Sequence, residues 1–394
     1  MDSAHAQMPF LLLVRGLFLV LAMVGAVVGL HYYIGVRLIA GVGLTGWPRS
    51  LAWAMVWGLF FSIPLGFAAT RLFPRPVARA MSWVSHLWLG AFGLLLVAMA
   101  ASEVLVLLLR PFFEGAPVRA YQSAGVLAAV VPALGLGFFT ARSKAKVERV
   151  TVSLAGLGPQ LEGLRIVQVS DVHIGETLDG AFLRRVVEQV NALDADVVAI
   201  TGDLVDGSVR NLRSEVAVLA ELKARWGVYF VTGNHEYYHG GPAWEAELRR
   251  LGVVVLHNEH RVLTRGGDRL VLAGVTDYDA GQFGEAHASR PDLALAGAPS
   301  GVPRVLLAHQ PRSARAAAAH QVDLQLSGHT HGGQMFPWMY FVRLQQPVIS
   351  GLATLHGVTV YTSRGTGYWG PPIRLGPTPE ITELTLTRKM SPPS

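Results

Sequence analysis

The pattern of hydrophobic and polar positions changes at about residue 141. Before this point, long apolar runs are separated by short polar segments; after it, short runs of Val, Ile and Leu alternate with amphipathic stretches. About 20 apolar helical residues cross the hydrocarbon of a bilayer, which is about 30 Å thick. The first part therefore predicts a membrane domain, 1–141, that is an all-α bundle of four transmembrane helices at about 10–30, 51–70, 81–109 and 120–141.

The second part of the chain has the pattern of an α/β domain. Short apolar runs predict strands at 164–169, 197–201, 228–232, 253–256, 270–275, 304–308, 324–326 and 358–362. Helical spacing of apolar positions predicts helices at 181–193, 212–224, 242–251 and 313–320. This alternation is typical of helices packed on a sheet. We expect the domain to cover 150–388, between a basic linker at 142–149 and a flexible tail at 389–394.

Composition supports membrane embedding and limits the chemistry. Hydrophobic residues make up 51% of the chain and charged residues only 15%, whereas soluble domains average roughly 25% charged residues. The net charge of +6 is scattered along the sequence, so we expect no nucleic-acid partner. The sequence contains no cysteine, which excludes disulfides, thiolate metal ligands and a cysteine nucleophile.

The flanks of the predicted helices carry unequal numbers of Lys and Arg. One side of the membrane would have seven, Arg71, Arg75, Arg79, Arg142, Lys144, Lys146 and Arg149, and the other four, Arg37, Arg49, Arg110 and Arg119. Positive residues favour the cytoplasmic side. We therefore predict an integral membrane protein with both termini, and the α/β domain, on the cytoplasmic face.

Polar residues with metal-binding chemistry follow five of the predicted strands. The segments are DVH from residue 171, GDLVDG from 202, GNHE from 233, a single histidine at 309 and SGHTHGGQ from 327. Open α/β sheets form their ligand crevices at such strand ends. We expect one rim to carry seven metal-ligating side chains: Asp171, His173, Asp203, Asn234, His309, His329 and His331.

This set of donors suits two divalent metal ions. Carboxylate, carboxamide and imidazole together fit Mn²⁺, Fe or Zn²⁺, whereas Mg²⁺ alone prefers oxygen ligands. Two ions about 3.5–4 Å apart clamp a phosphoryl group and acidify a bridging water. The sequence therefore predicts hydrolysis of a phosphoester or phosphoanhydride.

The ordered series DVH, GDLVDG, GNHE, His309 and GHTH resembles the calcineurin-like metallophosphoesterases over about residues 150–388. The GHTHGGQ motif, with the stretch SRGTGYWGPPIRLGPTPEI at 363–381, is similar to a bacterial membrane-associated subgroup that includes phosphodiesterases and lipid A precursor hydrolases. The resemblance implies a four-layer sandwich of two mixed β-sheets flanked by helices. It also implies a location in a bacterial inner or plasma membrane.

The resemblance assigns a role to each site residue. One ion would be held by Asp171, His173 and His331, and the other by Asn234, His309 and His329. Asp203 would bridge the two ions. His235 would protonate the leaving oxygen or stabilise the transition state, while Asp206 orients its ring; alternatively, Asp206 only caps a turn.

Several functional questions stay open in the sequence. Asp277 and Asp279 either line the pocket or belong to an ordinary turn, and Arg364 is a weaker candidate for binding phosphate. The apolar, aromatic run at 335–341 is either core or an exposed lip that contacts the bilayer or an acyl chain. We expect a phosphorylated small molecule or lipid as substrate. The alternatives are a membrane transport or signalling protein with a regulatory phosphate- or nucleotide-binding domain, and a catalytically inactive metal-binding scaffold.

Overall fold

The computed structural model describes residues 3–112 and 118–389, with side chains described from residue 15 onward except at positions 110 and 119. The chain forms two compact units, Met1–Gly135 and Leu136–Ser394. Of the predicted tail, positions 390–394 lie outside the described residues.

The first unit is built from long apolar helices. In the described part of the chain, four helices are long and apolar enough to cross a membrane: α1 Ser3–Val42, α2 Gly46–Leu72, α3 Arg75–Leu109 and α4 Val118–Ala141. The last residues of α4, 136–141, belong to the second unit. Each of the four helices contains one predicted span. Within the first unit Arg37 of α1 pairs with Glu103 of α3 at 2.7 Å, and a hydrogen-bonded ion pair of this kind is how charged groups are accommodated between apolar helices.

The second unit contains twelve strands and seven further helices in its described residues. The strands are β1 Lys146–Leu154, β2 Leu164–Val169, β3 Val197–Ile200, β4 Val228–Phe230, β5 Val254–Val255, β6 Glu259–Arg265, β7 Asp268–Gly274, β8 Arg304–Leu307, β9 Leu324–Ser327, β10 Gly351–Leu355, β11 Val358–Thr362 and β12 Glu380–Arg388. The helices are α5 Gly180–Asn191, α6 Val209–Val216, α7 Asn234–Tyr238, α8 Gly241–Arg250, α9 Pro291–Ala294, α10 Ala314–Ala317 and α11 Trp338–Val342.

The strands form two six-stranded mixed sheets. The first has the order β1-β12-β2-β3-β4-β5, and the second has the order β10-β11-β9-β8-β7-β6. In the first sheet only the β12–β2 pair is antiparallel. In the second, β7 to β9 and β11 are parallel, and the edge strands β6 and β10 are antiparallel to their neighbours. Strands β2 to β4 of the first sheet therefore run parallel to one another, as do β7 to β9 of the second.

Three apolar clusters hold the layers together. Ile166 and Val197 of the first sheet pack with Leu272 and Leu307 of the second, which forms the core between the sheets. Helices α5, α6 and α8 cover the outer face of the first sheet, and α9 and α10 cover that of the second. This arrangement confirms the α/β sandwich of two mixed sheets flanked by helices, preceded by four long apolar helices.

The sequence pattern located eight of the twelve described strands. Strands β1, β6, β10 and β12 have no counterpart among the predicted strands; β1, β6 and β10 are sheet edges, whereas β12 is an inner strand. Strands β1, β6 and β12 contain several polar residues. β1 begins at Lys146, inside the segment predicted as a linker. The predicted helix at 212–224 is shorter, since α6 ends at Val216 and continues only as a 3₁₀ turn at Ala217–Glu221.

Candidate metal centre

The candidate site lies where five parallel strands end. The loops after β2 and β3 are joined by backbone hydrogen bonds from Asp171 N to Gly202 O, 3.0 Å, and from His173 N to Asp203 O, 3.1 Å. The loops after β8 and β9 are joined by a bond from Gly328 N to His309 O, 2.9 Å. The carboxyl ends of both sheets thus deliver their polar residues to one place.

Five of the site residues have left-handed backbone conformations. Their φ angles are 53° at Asp171, 54° at His173, 52° at Asp203, 71° at His329 and 50° at His331. This region costs a non-glycine residue about 1–3 kcal/mol. The conformations turn the side chains away from the strand direction and toward each other. Such strain is maintained only where surrounding contacts fix the loops.

Asp171, His173 and His331 form the first cluster of metal-ligating atoms. Nε2 of His173 lies 3.0 Å from Nε2 of His331, and Oδ1 of Asp171 lies 3.6 Å from the same His331 atom. All three residues are buried. Two imidazole nitrogens and a carboxylate oxygen converge in a space of the size that one divalent ion occupies.

Asp203, His309 and His329 form the second cluster. Nε2 of His309 lies 3.1 Å from Oδ2 of Asp203 and 3.2 Å from Nδ1 of His329. The other ring nitrogen of His309 donates to Thr201 O at 2.7 Å, which aims Nε2 into the site. Nearby, Oδ1 of Asn234 is buried without a hydrogen-bond partner. A metal ion bound in the second cluster would give this oxygen the partner that it lacks.

One carboxylate connects the two clusters. Oδ2 of Asp203, 3.1 Å from His309 in the second cluster, is also 3.8 Å from Nε2 of His173 in the first. The sites are therefore adjacent, and Asp203 lies between them.

Burial and charge set different protonation states for the histidines. Burial lowers the pKa of His331 well below its usual value and that of His329 to about 3. Both rings are neutral and have a lone pair to offer. Burial also acts to lower the pKa of His309, but the carboxylate of Asp203 outweighs it and raises that pKa well above its usual value. The proton that these charges favour is the one on Nε2 of His309, which faces Asp203. A divalent ion bound between the two groups would replace that proton.

His235 and Asp206 lie beside the clusters. Nδ1 of His235 donates to Oδ1 of Asp206 at 2.5 Å, and the same oxygen is 3.1 Å from Nδ1 of His173. Nε2 of His235 is 3.9 Å from Oδ2 of Asp203. Burial acts to lower the pKa of His235, but the carboxylates of Asp203 and Asp206 raise it to about 9. Asp206 therefore contacts both the proposed acid and a proposed metal ligand, beyond the single contact that the resemblance implied.

Buried polar contacts fix the loops that carry these residues. Both oxygens of Glu236 accept backbone hydrogen bonds, from Leu204 at 2.8 Å and from Asp203 and Gly233 at 3.0 and 2.7 Å. Gly328 approaches closely enough that an added Cβ would lie 2.2 Å from Oδ2 of Asp171. The glycine before the HTH triplet is thus required by packing, since any side chain would displace the carboxylate.

Arg374 is the main component of the site that the sequence did not single out. Its fully buried guanidinium donates to the carbonyls of Arg364, Gly365 and Gly367 at 2.8, 3.2 and 2.6 Å, and it lies 3.3 Å from Nδ1 of His331. Burial lowers its pKa to about 10, so it stays charged. It fixes the loop behind His331. A lone arginine in a Gly- and Pro-rich stretch carries no spacing signal for this role.

The weaker candidates have structural partners. Arg364 pairs with the carboxylates of Glu148 and Glu380. These ion pairs use the guanidinium that the sequence suggested as a phosphate-binding group. Asp277 is buried and accepts hydrogen bonds from Gln310 at 2.9 and 3.1 Å, and Asp279 pairs with Arg312. In these positions the two aspartates fix the loop next to His309.

Comparisons with known proteins agree with this geometry. The calcineurin-like phosphoesterase family profile matches residues 164–333. The chain is 39% identical over 271 residues to a Danio rerio protein named transmembrane protein with metallophosphoesterase domain, covering 66% of this chain and 62% of that one. It is 38% identical over 255 residues to a protein of Helicobacter pylori strain J99 named a metallophosphoesterase, covering 64% and 67%. It is 33% identical over 350 residues to a Caenorhabditis elegans protein also named a metallophosphoesterase, covering 84% and 72%. The chain thus spans less than two thirds of the zebrafish relative.

Proposed function

Because the chain belongs to the calcineurin-like metallophosphoesterases, we propose that it is a metal-dependent phosphoesterase that hydrolyses a phosphoester or pyrophosphate bond at a centre of two divalent ions. The position of Asp203 carries the proposal, since its carboxylate lies between a cluster completed by His173 and one completed by His309. The orphan Oδ1 of Asn234 supports the second ion.

We assign the ligands as the resemblance implies. Asp171, His173 and His331 would hold the first ion, Asn234, His309 and His329 the second, with Asp203 shared. Two divalent ions there, Mn²⁺, Fe or Zn²⁺, would supply an acidified water and a clamp on the phosphoryl oxygens.

His235 is the proposed general acid. Its Nδ1 proton is held by Asp206, so Nε2 faces Asp203 and the site. A pKa of about 9 keeps the ring protonated at neutral pH, and a protonated Nε2 can donate to the departing oxygen. Ions bound at Asp203 would neutralise that carboxylate and lower the pKa of His235. Asp206, which is outside the proposed ligand set, would still favour the protonated ring.

The decisive experiment is hydrolysis of bis(p-nitrophenyl) phosphate by the purified full-length chain. We expect turnover that depends on Mn²⁺ and is lost in Asp203→Ala. His235→Ala should abolish turnover of an alkyl phosphodiester, whose leaving oxygen needs a proton. Metal analysis separates the two variants, because Asp203→Ala should lose bound metal and His235→Ala should keep it. A metal-loaded wild-type protein without turnover would favour the inactive scaffold or a regulatory domain.

We propose a membrane location with the catalytic domain on the cytoplasmic face. The four apolar helices and the excess of Lys and Arg on one side support it. A reporter that is active only outside the cytoplasm, fused after Ser394, should be silent; activity of that reporter would reverse the orientation.

We propose a lipid-linked or other membrane-proximal phosphoester as the substrate. The exposed aromatic residues that follow the HTH triplet, among them Phe336 and Tyr340, support this choice because they lie on the loop that begins at the metal site. Turnover of a long-chain phosphodiester should exceed that of its short-chain analogue at equal concentration. Equal rates would remove the argument for lipid.

A further inference from the structure

Residues 336–344, which we call the aromatic segment, present large apolar side chains to solvent. Phe336 is 52% exposed, Tyr340 59%, Phe341 62% and Leu344 85%. The segment contains the five-residue helix α11, and no residue of this helix is buried. Single exposed apolar side chains are ordinary, but a contiguous group of them marks an interaction surface.

The aromatic segment is tied to the last turn of α4. Phe336 N donates to Leu375 O at 3.2 Å, and the preceding residue, Arg374, donates through its backbone N to Gly137 O at 2.9 Å. The contact with α4 is close, since a Cβ added to Gly137 would lie 2.4 Å from Cγ2 of Ile373. Residues 373–375 therefore hold the aromatic segment at a fixed position relative to the end of this helix.

That end of α4 has the composition of a membrane–water interface. Ala120–Ala141 is apolar enough to span a bilayer, and it ends four residues after Gly137, about 6 Å along the helix axis. Arg142 and Lys144 follow, both exposed, and Arg343 is exposed on the aromatic segment. Aromatic and basic residues concentrate at the headgroup level of membranes.

We propose that the aromatic segment is an interfacial membrane anchor. Phe336, Tyr340, Phe341 and Leu344 insert among the headgroups and upper acyl chains of the bilayer that α4 crosses. Arg343 lies against anionic headgroups. A short apolar element with a neighbouring cation is suited to this position.

The anchor sets where the catalytic site opens. Gln334, two residues before the aromatic segment, accepts a hydrogen bond from Trp369 N at 3.0 Å through Oε1, and the Trp369 ring is 5.7 Å from the ring of His235. Insertion of the segment would keep the His235 side of the site close to the lipid surface. The inference rests on the proposed crossing of the bilayer by α4, and it does not require the proposed hydrolysis.

Absence of cysteine from the sequence allows a direct test on the full-length chain. Three single variants, Leu344→Cys, Val131→Cys and Leu293→Cys, would each be labelled at the new cysteine with an environment-sensitive fluorophore. Fluorescence would then be compared in nanodiscs of phosphatidylcholine and phosphatidylglycerol with and without brominated acyl chains. Val131 is on α4, and Leu293, 53% exposed on α9, is the matched leucine control. We expect bromine to remove most of the fluorescence at 344 and 131 and to leave 293 unchanged.

Each other result overturns the proposal. Quenching at 131 with none at 344 would leave the α4 span in place and refute the anchor. No quenching at 131 would refute the span and, with it, the anchor. Concentration-dependent self-quenching at 344 in detergent, without bromine quenching in nanodiscs, would identify a second copy of the chain as the occupant.

Discussion

Asp206→Asn should weaken catalysis through the proton on His235. The substitution removes a charge and keeps the size of a side chain whose Oδ1 is 2.5 Å from Nδ1 of His235. The rise in the pKa of His235 from 6.5 to about 9 corresponds to about 3 kcal/mol in favour of the protonated ring, at 1.36 kcal/mol per unit. Asp203 and Asp206 share this effect. We expect the variant to lose roughly half of it, which lowers the pKa of His235 by about one unit.

The kinetic consequence depends on the leaving group. A general acid contributes only while it is protonated. A pKa lowered by about one unit still leaves the ring protonated at neutral pH, so kcat for an alkyl phosphodiester should change little there and fall by up to about tenfold above the lowered pKa. The nitrophenolate of bis(p-nitrophenyl) phosphate leaves without protonation, so its kcat should change little at either pH. Because the acid acts only when protonated, the rate is lost as the pH rises through the pKa of His235. In the variant this decline should begin about one pH unit lower.

A double variant can refute the reasoning. If Asp206 acts through His235, then Asp206→Asn should add little to the defect of His235→Gln. The opposite result would be a double variant whose loss of kcat equals the product of the two single losses, together with reduced metal content. It would show that Asp206 acts through its 3.1 Å contact with His173. Asp194→Asn, which removes the charge of an exposed aspartate paired with Arg165, is the matched control and should leave kcat unchanged.

Three further outcomes follow from the site. Exhaustive chelation should abolish turnover and added Mn²⁺ should restore it; full activity after chelation would refute the metal centre. Gly328→Ala, whose Cβ would lie 2.2 Å from Oδ2 of Asp171, should lower bound metal and reduce kcat at least about 10²-fold, measured by metal analysis and by turnover. Arg374→Met leaves several buried carbonyls without a donor, so we expect the free energy of unfolding to fall by about 3 kcal/mol. The melting temperature in a circular dichroism melt should then fall by roughly 6–12 °C. An unchanged melting temperature would contradict the role of Arg374.

The parts of the fold that the sequence predicts best are the strands that are buried on both faces. Strand β3, Val197–Ile200, is buried at every position and reads as a continuous apolar run. Strand β6, Glu259–Arg265, buries only Leu263, because an edge strand has one covered face and one paired side. Its sequence, EHRVLTR, carries no periodic signal above that of a polar loop. The outer strands are determined by pairing with their neighbours, which local sequence does not encode.

The site divides in a similar way. The residues from Asp171 to His331 were recognisable because each follows a strand, and strand direction brings strand ends together. Contacts that depend on three-dimensional packing were not recognisable. Oδ1 of Asp206 contacts two histidines, and the guanidinium of Arg374 contacts three carbonyls that lie earlier in its own loop. Neither contact has a fixed spacing along the chain.

Parallel pairing of β1 with β12, in the register Lys146 with Glu380, has a consequence for biosynthesis. The ribosome releases α4 and β1 long before β12, so the proposed membrane insertion of the four apolar helices could take place while the first sheet still lacks an inner strand. β12 separates β1 from β2, and the sheet is complete only when this late segment emerges. Assembly of the proposed hydrolase site would therefore come after insertion, which would keep an active but unanchored form from accumulating during translation.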